Sequence, residues 1–289
     1  MIDSYFEIGN SHQVCQDYAL HGTFEDMEYG IVADGCSTAE HSEIGAQILC
    51  HVARYYLTLH YHSGLFKDCT INTLSSILGN SILKRADDLR KLYPITPSAL
   101  QATLLIIVAI KDKVYTFMWG DGVIIERYKL PKSKNVTKEY IINTATKIDY
   151  SANAPFYLCT NKEQYENFLL REKGIAEPKK ITYLYSQRDI GDTEFTLTHQ
   201  LERLFHLPFT SVQPREDFIS ITIATDGILS YRDENKTPID FLDIVPEVSI
   251  FKSKTGEFVK KRMTFFKRSA QKKQWTHYDD IATATIVMD

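Results

Sequence analysis

The sequence lacks the features that mark membrane, secreted or nucleic-acid-binding proteins. No stretch approaches the roughly 20 apolar residues that a membrane span needs, and the first residues have neither a basic region nor an apolar core. The formal net charge is −4, without the basic surplus typical of a nucleic-acid binder. We therefore expect a soluble, cytoplasmic protein with no membrane or nucleic-acid partner.

Paired cysteines and repeats are missing as well. The five cysteines are scattered, odd in number and without a Cys-x-x-Cys pair, which predicts reduced thiols and neither a disulfide framework nor a zinc site. There is no internal repeat, Gly/Ser-rich linker or low-complexity tract. Hydrophobic residues make up 44% of the chain, enough for a sizeable core. We expect a single domain over residues 1–289.

Hydrophobic periodicity predicts both long helices and consecutive strands. Apolar residues recur at close to helical spacing over residues 42–61 and 71–92, which favours a pair of antiparallel helices. Two further helices are predicted over residues 240–250 and 257–266, the second strongly basic, and we interpret that basic run as a solvated helix face. Strands are predicted over residues 5–8, 18–20, 28–33, 102–110, 114–119, 123–128, 218–225 and 281–288.

The order of these elements favours an α+β layered sandwich. Short connections between successive strands imply antiparallel pairing, and few segments suggest βαβ crossovers. Residues from 130 to about 190 are more irregular. We interpret them as an insertion lying over the strand ends, with a flap as one possibility and a plain loop as the other.

Three apolar strands each end in an aspartate beside a glycine. The corners are Asp34-Gly35, Gly120-Asp121-Gly122 and Asp226-Gly227, and Tyr278-Asp279-Asp280 precedes the last strand. A carboxylate at the end of a buried strand is costly to desolvate unless a cation compensates for it. Any one Asp-Gly could be an ordinary turn. The combination favours a shared site for a hard ion such as Mg²⁺ or Mn²⁺, because the donors are oxygens without a His or Cys cluster.

Seven short segments occur in a fixed order along the chain: Gly9-x-Ser11-His12, Cys15-Gln16-Asp17, Val32-Ala33-Asp34-Gly35, Ala102-Thr103-Leu104, Trp119-Gly120-Asp121-Gly122, Ala224-Thr225-Asp226-Gly227 and Asp279-Asp280-Ile281-Ala282. This order of motifs resembles the metal-dependent serine/threonine protein phosphatases of type 2C, the PPM family, and the first two segments are most similar to a bacterial subgroup. Each motif alone is weak, whereas their shared order is specific. The resemblance implies a four-layer α-β-β-α sandwich of two antiparallel sheets flanked by helix pairs.

The resemblance also implies roles for individual residues. Two Mn²⁺ or Mg²⁺ ions would be bridged by Asp34, with the Gly35 carbonyl, Asp226 and Asp279 as further ligands and Asp121 at a third, weaker ion. Asp17 would orient a metal-associated water. The implied reaction is hydrolysis of phosphoserine and phosphothreonine by direct attack of a metal-bridging water. The implied partners are a phosphorylated protein substrate and a cognate Ser/Thr kinase.

Several positions depart from the family pattern. His12 stands where an arginine often holds the substrate phosphate, and an imidazole is fully charged only below roughly pH 6.5, so we expect weaker phosphate capture at higher pH. A plain surface histidine is the alternative. Gln16, Cys36 and Ala282 depart too, and without a Cys-His signal Cys36 is not expected to act as a nucleophile. These changes keep two other functions open: a catalytically silent phosphoprotein-binding or scaffold module, and a small-molecule phosphoesterase.

Overall fold

The computed structural model describes residues 1–130, 140–188 and 196–288. The strands found among them are β1 (Ile2–Glu7), β2 (Asp17–Phe24), β3 (Met27–Asp34), β4 (Leu104–Ile110), β5 (Lys113–Trp119), β6 (Gly122–Leu130), β7 (Tyr140–Tyr150), β8 (Lys180–Arg188), β9 (Thr196–Arg203), β10 (Phe209–Pro214), β11 (Phe218–Ala224) and β12 (Ile281–Val287). The α-helices are α1 (Ser42–His62), α2 (Leu65–Asp68), α3 (Ile71–Arg90), α4 (Lys162–Lys173), α5 (Phe241–Ser249) and α6 (Phe258–Lys272).

The strands form two antiparallel sheets. One has seven strands in the order β1-β12-β11-β6-β7-β8-β9, and the other has five in the order β10-β5-β4-β3-β2. Every described pairing between neighbouring strands is antiparallel. The predicted α+β sandwich of two antiparallel sheets is therefore confirmed.

Three hydrophobic clusters hold the layers together. Because side chains alternate along a strand, Leu105 and Ile107 of β4 face the other sheet, whereas Ile106 between them faces α1 and α3. The cluster between the sheets includes Ile223 of β11, and a third cluster joins α5 and α6 to the seven-stranded sheet through residues such as Phe266. Burying a side chain of this size contributes about 1.5–3 kcal/mol.

The segment expected to be irregular contains regular structure. Within described residues 140–188, β7 pairs with β6 over nine residue pairs and with β8 over nine more, and α4 lies between β7 and β8. The interpretation of this segment as irregular is wrong, because β7 and β8 are members of the seven-stranded sheet. Residues 131–139 and 189–190, which the predicted insertion also covered, lie outside the described residues. A flap role stays a prediction.

The described helices include none that is both long and apolar enough to cross a membrane.

Candidate metal centre

The acidic strand ends come together at one end of both sheets. Asp17 begins β2 and Asp34 ends β3, and the two are direct register partners in the five-stranded sheet. Thr225, which follows β11 in the seven-stranded sheet, donates its hydroxyl hydrogen bond to Asp17 Oδ2 at 2.5 Å. Asp17 is buried, so this bond gives a desolvated carboxyl a partner and ties the two sheets together at the site.

Asp34 occupies the middle of the group. Its backbone is fixed by Thr103, whose Oγ1 accepts from the Asp34 N–H at 3.1 Å and whose own N–H donates to the Asp34 carbonyl at 2.8 Å. The Asp34 carboxyl shares hydrogen bonds with those of Asp17 and Asp226. A hydrogen bond between two carboxyls requires a proton on one of them. Burial, followed by the charges of Asp17 and Asp226, raises the pKa of Asp34 well above its usual range.

Asp121 reaches the group from the corner between the sheets. Gly120 and Gly122, with φ values of 91° and 137°, let the chain turn from β5 of one sheet into β6 of the other. Burial and the charge of Asp226 raise the pKa of Asp121. The pKa of Asp226 is itself raised, by burial and by the charge of Asp279. Lys147 acts on both carboxyls in the opposite direction, but burial outweighs it.

Asp226 sits at a close approach between β11 and the start of β12. A Cβ on the next residue, Gly227, would lie 1.6 Å from the Asp280 carbonyl oxygen, so only glycine permits this packing. Ser230 Oγ accepts from the Asp279 N–H at 3.1 Å. Burial raises the pKa of Asp279 as well. Thus all five carboxyls named as site residues are drawn toward the protonated form by their surroundings.

This donor set suits a hard divalent cation. Clustered carboxyls with raised pKa values indicate uncompensated negative charge, and oxygen donors match Mg²⁺ or Mn²⁺ better than zinc. However, within the described ranges no three His, Cys, Asp or Glu side chains already form a metal-binding group. Asp34 instead lies close enough to hydrogen-bond to the carboxyls of Asp17 and Asp226, and each such bond needs a proton on one partner. A cation would have to displace those protons.

Asp280, to which the sequence analysis gave no role, anchors the neighbouring loop. Its Oδ1 accepts from Gly9 N at 2.7 Å and its Oδ2 from Gln16 N at 2.5 Å. His12 lies in the same loop, with Nδ1 3.0 Å from Asp280 Oδ2 and Nε2 3.5 Å from Asp279 Oδ1. His12 thus lies beside the site and contacts two carboxylates, and its role in holding the substrate phosphate stays a prediction.

Two further cations that the sequence analysis missed border this edge of the site. A cavity of about 370 Å³ is lined by Ser11, His12, Ser230, Arg232, Lys236, Tyr278 and Asp279. The loop that carries Arg232 and Lys236 is held by Asp233, whose Oδ1 accepts from Asn235 N at 2.9 Å and Thr237 N at 2.8 Å. The position of Arg232, six residues after Asp226, is the sequence signal that could have identified it.

A family model described as Protein phosphatase 2C matches residues 9–266 of the chain. The chain belongs to the protein phosphatase 2C family. The matched range contains Asp17, Asp34, Asp121 and Asp226, and it ends before Asp279. Membership of protein phosphatase 2C supports a phosphatase function, and the family generally uses Mg²⁺ or Mn²⁺. A comparison with curated proteins found no match.

Solved structures of serine/threonine phosphatases share this fold. The serine/threonine phosphatase 2C from Toxoplasma gondii aligns with a TM-score of 0.52 at 13% identity, covering 100% of this chain and 94% of the other. The serine/threonine phosphatase Stp1 from Staphylococcus aureus aligns with a TM-score of 0.50 at 10% identity, covering 100% and 94%. The S. agalactiae serine/threonine phosphatase aligns with a TM-score of 0.50 at 12% identity, covering 100% and 99%. At these identities the likeness shows the fold alone.

Cys36 and Gln16, two departures from the protein phosphatase 2C pattern, lie beside the site. Burial would raise the pKa of the Cys36 thiol, but hydrogen bonds with Thr38 and Tyr157 outweigh burial and lower it. Gln16 Nε2 donates to Ser42 Oγ at 3.0 Å, at the start of α1. The contacts of Cys36 with Thr38 and Tyr157 include no histidine that could act as a base for a nucleophilic cysteine. That Cys36 is not the nucleophile stays a prediction.

Proposed function

We propose that this chain is a metal-dependent phosphoprotein phosphatase that hydrolyses phosphoserine and phosphothreonine. The observation that carries the proposal is the convergence of acidic strand ends from both sheets, with raised pKa values, in a chain of the protein phosphatase 2C family. When bound, Mn²⁺ or Mg²⁺ supplies charge neutralisation at the phosphate and an activated water.

In this proposal the chain's own residues hold the ions and the substrate. Asp34, the Gly35 carbonyl, Asp226 and Asp279 hold two ions, and Asp121 contributes to a third. Asp17, positioned by its hydrogen bond from Thr225, orients the attacking water. His12, which contacts Asp279, binds the substrate phosphate together with Arg232 from the adjoining cavity. The partners are phosphorylated proteins and the kinase that modifies them.

Turnover of p-nitrophenyl phosphate with Mn²⁺ tests the centre. Asp34→Asn and Asp226→Asn should each reduce kcat about a hundredfold or more, because each removes a charge that stabilises the transition state. Asp112→Asn is the matched control, since Asp112 is exposed in the turn at the opposite end of β5. Full activity in excess EDTA, or unchanged activity of both site variants, would exclude the proposed site.

A non-catalytic phosphoprotein-binding module is the second candidate. It is favoured by the contacts of His12 with Asp279 and Asp280, which engage the imidazole that the phosphatase proposal assigns to the substrate phosphate. Saturable binding of a phosphopeptide in Mn²⁺ without any turnover would support this candidate. Rapid turnover of small phosphate esters with no turnover of phosphopeptides would instead identify a small-molecule phosphoesterase.

A further inference from the structure

A second cavity, of about 720 Å³, lies where α3 meets the ends of β7, β8 and β9. Its volume falls in the range of roughly 300–1,000 Å³ that is usual for ligand pockets. It borders Gly120, which directly precedes Asp121, but none of the carboxyls of the proposed metal centre is among its lining residues. Nothing in the phosphatase proposal uses this cavity.

Two cations stand side by side at the cavity wall. Tyr150, Lys180 and Arg203 form one row across β7, β8 and β9, with Lys180 directly paired with both neighbours. Like charges directly opposite each other destabilise a sheet. Lys179, the preceding residue, is exposed and faces a carboxylate instead, with its Nζ 3.2 Å from a carboxylate oxygen of Glu202.

Lys180 is buried without an acidic partner at the cavity. Only 1% of the residue is exposed, its Nζ donates to the Leu207 carbonyl, and no Asp or Glu lines the cavity. Burial, and secondarily Arg203, lowers the pKa of Lys180 to about 8, so the side chain stays largely charged at neutral pH. A buried cation without a counter-ion costs folding free energy. An anion bound beside it would offset that cost.

The remaining walls offer aromatic rings and unpaired polar atoms. The aromatic side chains are Trp119, Tyr150, Phe156, Tyr157, Phe205 and Phe209. Opposite them, α3 presents small polar residues at helical spacing, among them Asn72, Ser75 and Ser76. Ser75 Oγ and His206 Nδ1 are buried and have no hydrogen-bond partner within the described residues. Both residues line the cavity, so both atoms can hydrogen-bond to a molecule bound there.

We propose that this cavity binds a nucleotide-like anion, with its phosphate at Lys180 and Arg203 and its planar ring among the aromatic side chains. Arg203, exposed at the rim, provides a fork of donors suited to phosphate, and buried Lys180 acts as a point charge. Ser75 and His206 hydrogen-bond to the polar edge of the ring. The proposal does not depend on metal binding or on turnover.

Isothermal titration of the full chain with AMP in excess EDTA tests the proposal without any hydrolysis. AMP should bind at least about tenfold more tightly than adenosine or inorganic phosphate alone, because the two halves contact different walls. Lys180→Met and Arg203→Met should each weaken AMP binding by about tenfold or more, since each removes a charge-assisted hydrogen bond. Lys179→Met is the matched control and should bind AMP like the wild type.

Thermal unfolding separates a ligand-binding role for Lys180 from a structural one. Lys180→Met should melt at the same temperature as the wild type or higher, because methionine has a shape similar to that of lysine but removes the buried charge. If that variant fails to fold, the rim variant Arg203→Met decides the binding result. Absence of saturable AMP binding by the wild type would overturn the proposal. The proposal would also be overturned if both cavity variants bound AMP as tightly as the wild type. The same holds if Lys179→Met weakened AMP binding as much as the cavity variants do.

Discussion

Adjacent aspartates in this chain lie in different environments. Asp280 is 1% exposed and accepts two backbone hydrogen bonds, whereas the side chain of Asp279 is 48% exposed and borders the cleft with His12. Both residues lie directly before β12, so one residue of offset separates a structural anchor from a candidate ligand. The Asp-Asp pair in the sequence does not show which is which.

Arg232 should contribute to substrate binding. We expect Arg232→Met to raise KM for a phosphopeptide about tenfold or more while changing kcat little, because a cation that contacts the phosphate before and during the reaction stabilises both states. Steady-state kinetics with Mn²⁺ measures this. Arg268→Met, on exposed α6 surface, is the control. A fall in kcat at constant KM would contradict a binding role.

Lys180 should make stability depend on pH. Its pKa falls from 10.5 to about 8 on folding, so between those values the unfolded chain binds more protons and wild-type stability rises with pH. The difference in unfolding free energy between Lys180→Met and the wild type should therefore shrink by up to roughly 3 kcal/mol between pH 7 and pH 10.5. Urea unfolding at both pH values measures the difference. A constant difference would show that the lysine is not desolvated.

The sequence predicted some site residues and missed others for a physical reason. Asp34, Asp121 and Asp226 could be identified because each follows an apolar strand and lies beside a glycine. Lys180 could not, since its importance depends on which distant segments surround it. The residues next to Lys180 in the sequence do not show that it pairs with Arg203 of the neighbouring strand.

At the scale of elements, strongly periodic segments were predictable and mixed ones were not. The structure confirms α1 and α3 almost to the residue, because their apolar positions recur along one face. β7 and β8 were missed because they contain as many polar as apolar residues, and β9 and β10 were not predicted either. Their strand state depends on pairing with neighbours in the sheet.

The basic residues of α6 also proved less uniform than the predicted solvated face. Arg262 lies 3.2 Å from a carboxylate oxygen of Glu247, and Lys267 forms an ion pair with Glu7. Arg268 and Lys272 remain exposed. The interpretation holds for part of the run, while two cations connect α6 to neighbouring elements.

The start of α6 depends on a distant aspartate. Asp3 of β1 accepts a hydrogen bond from Val259 N at 2.6 Å, and the residue before the helix, Glu257, provides no side-chain cap. Asp3→Ala should therefore destabilise the protein by about 1–2 kcal/mol, through loss of a cap and of a favourable charge at the helix dipole. Chemical denaturation measures the loss. Asp3→Asn retains an acceptor and should cost less; an equal loss would contradict the capping role.

At the scale of the whole molecule, the two ends of the described chain complete one sheet. β1 pairs with β12, and Met1 N donates to the Val287 carbonyl at 2.8 Å. Bringing together residues so distant in sequence costs loop-closure entropy, which makes the seven-stranded sheet costly to assemble.

Removal of residues 1–8 should therefore have a large effect. We expect a loss of more than about 4 kcal/mol, or of cooperative unfolding, because β12 loses a paired strand and α6 loses its cap. Differential scanning calorimetry measures the change. Asp3→Asn, which retains the strand, is the comparison. An unchanged melting temperature would mean that β1 is only peripheral.

The hydrogen bond from Thr225 to Asp17 joins strands that belong to opposite sheets. Any sliding of one sheet over the other would move the acidic groups apart. Binding of a cation therefore requires that the two sheets are correctly aligned. A cation bound there would hold the two sheets together, and the amide protons of both β2 and β11 should then exchange more slowly than in the cation-free protein.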